Sequence, residues 1–134
     1  MTDYYSHHLA GRRLKRVYDI APPRVQQYLD CEIEHVLSYA GPDHDVLELG
    51  CGYGRVAIRL AAQARRVVGI DVAEGSLRLA RELGGSCANC EFYCMDALRL
   101  GFPDDSFDLV VCVQNGISAF RVDPKALIDR KSVV

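Results

Sequence analysis

The sequence has no long apolar run, no surplus of either charge, no internal repeat and no low-complexity segment. Each absence removes a class of protein. The longest strongly apolar stretch is Leu109 to Val113, whereas a membrane-spanning helix needs about 20 such residues. The opening residues, MTDYYSHH, lack the apolar centre of a secretory signal, so no export leader is expected, and a cytoplasmic location is. There are 16 Lys and Arg against 18 Asp and Glu, a net charge of -2. Without a basic excess, DNA or RNA is a poor expected partner. Six cysteines are present, at 31, 51, 87, 90, 94 and 112, mostly flanked by apolar residues in periodic segments. Reduced thiols, several of them buried, are expected rather than a disulfide scaffold. Cys87 and Cys90 have the spacing of half a zinc site, but Cys94 falls within a strand pattern and no fourth ligand is evident, so no metal is expected.

What is present fits one globular domain. The chain has 134 residues, 49% of them hydrophobic and 25% charged. Residues 1–20 are aromatic, basic and poorly periodic. After Pro22-Pro23, apolar residues at 25, 29, 33, 36 and 37 predict an amphipathic helix to about Tyr39, ended by Gly41-Pro42-Asp43. DVLEL at 45–49 predicts a strand, and Val56, Ile58, Leu60, Ala61 and Ala64 a helix. RVVGID at 66–71 predicts a second strand, and Ser76 to Leu83 a second sheet-packed helix closed by Gly84-Gly85. EFYCM at 91–95 and FDLVVCV at 107–113 predict strands three and four, the last apolar enough to be covered on both faces. Strands alternating with helices call for parallel pairing and right-handed crossovers, hence an α/β doubly wound sheet.

The most informative stretch is Glu48-Leu49-Gly50-Cys51-Gly52-Tyr53-Gly54, between a strand and a helix. Alternate glycines permit a tight turn and close approach of a ligand to the backbone. The end of a parallel strand is where such sheets bind ligands. The dinucleotide fingerprint wants its third glycine at position 55, where Arg55 is expected to obstruct helix–strand packing. Asp71 ends the second strand, 17 residues after Gly54, near the spacing at which a carboxylate reaches ribose hydroxyls.

Together ELGCGYG, VVGID, the Met95-Asp96-Ala97 step and FPDDSFDLVVC resemble class I S-adenosylmethionine-dependent methyltransferases, over roughly Val46 to Asn115. The resemblance implies a Rossmann-like sheet in the order 3-2-1-4 and S-adenosylmethionine as cofactor. It implies that Gly50, Cys51, Gly52 and Gly54 wrap the methionine part, with Glu48 anchoring the loop. Asp71 would bind the ribose hydroxyls, Val72 would pack on the adenine, Asp96 would accept from its amino group, and Ala97 would line the ring. Gln114 and Asn115 would lie near the methionine end and the entering substrate, and Tyr18 would belong to an N-terminal cap. The implied partner is a small-molecule methyl acceptor. No general base is named; His7, His8, His35 and His44 are candidates by residue type alone.

Family sheets usually have seven strands, and only four patterns occur here. The expected division is a helical cap at 1–40, a cofactor-binding core at 41–120 and a short tail at 121–134. The fourth strand is then an exposed apolar edge. Three explanations are open: a fragment or truncated gene product, a homodimer paired through that edge, or a degenerate binding remnant. Two functional alternatives stand beside methyl transfer: a non-catalytic cofactor-binding or dimerisation module, and a nucleotide-dependent oxidoreductase.

Overall fold

Short β-branched runs build the centre of the molecule. The computed structural model describes residues 11–113. Strands β1 (Asp45–Leu49), β2 (Arg66–Asp71), β3 (Cys90–Cys94) and β4 (Leu109–Val111) form one parallel sheet in the order β3-β2-β1-β4, the expected topology. Four helices accompany them: α1 (Arg12–Asp19), α2 (Pro23–Leu37), α3 (Ala57–Ala61) and α4 (Glu74–Leu83).

Alternation along the strands divides the core in two. Val46, Val67, Leu109 and Val111 face Ile33 and Val36 of α2, Leu60 of α3 and Leu77 of α4. Leu47, Leu49, Val68, Ile70 and Val110 face the segment that carries Ala97, Phe102 and Phe107. Both faces of the central strands are therefore buried, which is why these strands are apolar throughout rather than alternating. Among the described residues the helices lie on one face, and irregular chain covers the other.

The sheet needs one glycine in its middle. A Cβ at Gly69 of β2 would lie 2.9 Å from both Cys51 Sγ and Phe92 Cδ1. Its absence lets the chain leaving β1 fold down over β2.

Boundaries differ from the sequence expectation for identifiable reasons. Helix α1 falls in the stretch read as unperiodic: four of its eight residues are cationic and none is fully buried, and its apolar stripe is only Leu14, Val17 and Tyr18, too short to stand out. Helix α3 has only five residues, because turns occupy 52–56. Helix α4 starts two residues before Ser76, whose hydroxyl accepts the Gly11 N–H at 2.8 Å instead of capping its own helix. Gly84 ends α4 at φ −92, not in the left-handed region; a Cβ there would sit 3.1 Å from the Ala80 carbonyl oxygen and 3.2 Å from Phe92 Cε2. Its small size is what matters. Strand β4 spans three residues instead of seven, and Asp108 precedes it with a tie to β1, its carboxylate accepting the Asp45 N–H at 2.8 Å. Gln114, Asn115, His7, His8 and the 121–134 tail lie outside the described residues.

Candidate functional site

The chain leaving β1 turns sharply. Gly50, Gly52 and Gly54 have φ values of 65, 57 and 88, a region that L side chains rarely adopt. The Cys51 N–H bonds to the Ile70 carbonyl at 2.9 Å, extending the β1–β2 ladder one residue into the turn. Gly54 does more than bend: a Cβ there would lie 3.1 Å from both Ile58 Cδ1 and Phe92 Cζ. The close approach that a dinucleotide fold takes from its third glycine is supplied here by Gly54. The expected obstruction by Arg55 therefore does not arise, since its side chain points toward the N-terminal helices.

Asp71, at the tip of β2, is wired into the turn. One carboxylate oxygen accepts the Gly52 N–H at 2.8 Å and the other accepts the Ala73 N–H at 2.9 Å. Each oxygen keeps a second lone pair. The half-buried carboxylate can thus hold the loop and still accept from two vicinal hydroxyls. Val72 beside it is an apolar residue left 37% exposed, and Ala97 is buried across the gap between β2 and the segment after β3. Asp96 is exposed, with Oδ1 accepting the Leu98 N–H at 2.9 Å in a local turn. These residues line the C-terminal ends of β1, β2 and β3, where open α/β sheets bind ligands.

Glu48 is the least ordinary group. It is 1% exposed in the middle of the sheet, and its Oε1 has no hydrogen-bond partner among the described residues. Its side chain accepts from the backbone of Ala57, at the start of α3, the helix that follows the glycine turn. Burial pushes its pKa up to about 8, against the pull of the Arg55 charge; Asp71 and Glu32 push the same way as burial. An acid whose pKa is raised on folding binds protons more tightly in the native state. Its contribution is complete below the unfolded value of 4.5 and is lost as pH rises through about 8. The unliganded protein should therefore lose about 2 kcal/mol of stability between pH 6 and pH 9. Urea titrations of wild type and Glu48→Gln check this: the variant should show a flatter profile, and equal slopes would refute the assignment.

Cys51 is buried beneath the loop against Gly69, and burial raises its thiol well above the usual range, so it serves as packing. Burial likewise pushes Cys90 and Cys112 up to about 12. Cys87, Cys90 and Cys112 are partly buried, and Cys31 and Cys94 are exposed. Among the described residues no group of three or more His, Cys, Asp or Glu could hold a metal.

Sequence reasoning missed a second layer. Arg55 and Tyr53 meet Tyr18 of α1: the guanidinium lies 4.5 Å from the Tyr18 ring centroid, and the two tyrosine rings meet edge to face at 6.1 Å. Arg55 also pairs with Glu32 of α2 at 3.4 Å. Leu14 of α1 lies over Gly52, 3.0 Å from where a Cβ would be. The sequence carried only the signal that an arginine follows the glycines. His44 accepts the Gly41 N–H at 2.9 Å before β1 begins, and His35 packs on Tyr39. Neither supplies a base beside the loop.

A family model described as a methyltransferase domain matches residues 46–132. The 2-methyl-6-phytyl-1,4-hydroquinone methyltransferase of Synechocystis is 32% identical over 104 residues, 71% of this chain and 33% of that protein. A probable ribosomal RNA small subunit methyltransferase A of Methanosarcina mazei is 33% identical over 70 residues, 52% of this chain and 25% of that protein. Among solved structures, Haemonchus contortus phosphoethanolamine N-methyltransferase 1, in complex with phosphoethanolamine and S-adenosylhomocysteine, superposes with a TM-score of 0.65 at 26% identity. That match covers 83% of this chain and 23% of the other. The chain thus spans a quarter to a third of the length of these curated relatives.

Proposed function

The chain belongs to the methyltransferase domain family, and on that premise we propose that it binds S-adenosylmethionine beyond Gly50–Gly54 and serves methyl transfer to a small-molecule acceptor. The observation that carries this reading is Asp71, which holds the Gly52 N–H at 2.8 Å and keeps lone pairs free at the mouth of the crevice. The residues present fit the cofactor: a glycine turn without side chains, a carboxylate for two ribose hydroxyls, and exposed Val72 for the face of a base.

When bound, the cofactor supplies a sulfonium-linked methyl already activated for in-line attack by a nucleophile. The protein contributes placement. Asp71 fixes the ribose by accepting from its hydroxyls, and the Gly52 tie keeps the turn in register with β2. Val72 and Ala97 would border the adenine ring, and Asp96 would accept from its amino group. Orientation of this kind is the main means by which such a site accelerates a bimolecular transfer. Gln114 and Asn115 are proposed to face the acceptor, and residues 11–40 to cap the crevice.

Support for a small acceptor comes from the net charge of -2 and from the quinol named for the Synechocystis relative. The ribosomal relative makes RNA the competing acceptor.

Calorimetry with S-adenosylmethionine, S-adenosylhomocysteine and NAD separates the functional classes. Binding of the first two and not the third is expected. Binding of NAD alone would establish the oxidoreductase reading instead. Transfer of labelled methyl should then be seen with small quinols, phenols or amines rather than with a ribosomal RNA fragment. Binding without transfer to any acceptor would leave a cofactor-binding module.

A further inference from the structure

We propose that Arg55 is a positioning residue that couples occupancy of the glycine-loop crevice to docking of the N-terminal helices α1 and α2; the coupling rests on the cofactor reading above. Three elements converge on its guanidinium. Tyr18 of α1 presents its ring face at 4.5 Å, Glu32 of α2 presents Oε1 at 3.4 Å, and Arg55 itself follows Gly54 directly. The Arg55 and Glu32 side chains are only 15% and 20% exposed, so neither the ion pair nor the ring contact is fully screened by water.

Helix α1 depends on these contacts. Eight residues are too few for a stable isolated helix, and the apolar stripe of α1 is short, with only Leu14 and Tyr18 partly buried. It is held to α4 by the Gly11 N–H on Ser76 at 2.8 Å and the Arg12–Glu82 ion pair at 2.9 Å, and to α2 by Gln26, which donates to the Tyr18 carbonyl. Its side-chain packing, Leu14 over Gly52 and Tyr18 against Tyr53 and Arg55, is made to the glycine turn. Gly52, Tyr53 and Arg55 belong to one continuous turn, so a ligand that holds the turn also holds the platform on which α1 rests. By linkage, a change that loosens α1 from the turn weakens the ligand by the same factor, typically 5- to 150-fold. Arginine is suited to this place because its planar cation stacks on one ring while bonding a carboxylate, which lysine does not do as well.

Hydrogen exchange on the 134-residue chain, with and without saturating S-adenosylhomocysteine, tests the coupling alongside calorimetry. In wild type, ligand should slow exchange across residues 12–37 as well as the 50–54 turn. Arg55→Leu should bind about tenfold more weakly and, once saturated, protect 50–54 without further protecting 12–37. Tyr18→Leu, which buries no unpaired charge, should show the same loss of communication, and Arg55→Lys a partial one. Unchanged protection of β1 and β2 serves as the folding control, and should Arg55→Leu fail it, Tyr18→Leu decides. Ligand-induced protection of 12–37 that persists in Tyr18→Leu and in any folded Arg55 variant would overturn the proposal while leaving the cofactor reading intact. No binding by wild type would sink both.

Discussion

Replacing Asp71 with alanine should weaken S-adenosylhomocysteine binding about a hundredfold while the domain stays folded. Hydrogen bonds to a charged group are each worth about 1.5–3 kcal/mol, so losing two costs about 3 kcal/mol at the lower end, which corresponds to a change in dissociation constant of roughly a hundredfold or somewhat more. The variant also frees the Gly52 and Ala73 N–H groups, both near the surface and able to turn to water, so the expected stability loss is only about 1 kcal/mol. Asp71→Asn separates the two roles. Its amide oxygen can still accept the Gly52 N–H, but the charge is gone and the second position becomes a donor. If ribose recognition is the main role, the asparagine variant should bind nearly as weakly as the alanine variant. If loop tethering is all that matters, asparagine should bind almost as wild type, and an unchanged dissociation constant in Asp71→Ala would remove the residue from the site altogether.

The second large effect is on stability. Gly54→Ala should cost about 3 kcal/mol and lower the melting temperature by roughly 10 °C. Two costs add. A non-glycine residue at φ 88 is strained by about 1–2 kcal/mol, and its Cβ would press on Ile58 and Phe92 at 3.1 Å, an overpacking of about 1–3 kcal/mol. Gly85→Ala is the contrasting control. A Cβ there meets only the Arg81 and Glu82 carbonyl oxygens at 3.5 Å, an ordinary contact, so its effect should stay within about 0.5 kcal/mol. Denaturant melts of the two variants check the difference; equal midpoints would mean that the turn relaxes freely and that Gly54 does not hold α3 to the sheet.

Much of the cofactor-binding core was legible because the relevant physics is local. DVLEL and RVVGID became β1 and β2 at the expected residues, since short, mostly apolar runs bounded by turns have few alternatives. The glycine turn was visible because positive φ restricts residue choice at single positions. Asp71 was placed by its distance from that turn, and the structure brings it within 2.8 Å of Gly52. Less legible were elements whose form depends on partners distant in sequence. Helix α1 has too short a pattern, Leu14, Val17 and Tyr18, to declare itself, and its apolar residues Leu14 and Tyr18 find the glycine turn. Ser76 is expected to begin a helix, yet it lies inside α4 and its hydroxyl receives the Gly11 N–H from 65 residues away. Arg55 was judged by a fingerprint of another ligand class, whereas its side chain answers to Glu32 and Tyr18, residues that spacing along the chain does not connect to it.

The sequence by itself determined the parallel α/β sheet, the turn after the first strand and the acid at the end of the second, because backbone sterics and hydrophobic period act within a few residues. Tertiary structure alone decided which glycine lets helix meet sheet, that Glu48 lies buried with an orphaned oxygen, and that Arg55 joins the N-terminal helices to the turn. Those outcomes depend on distances between segments far apart in the chain, and such distances are set only when the whole core closes.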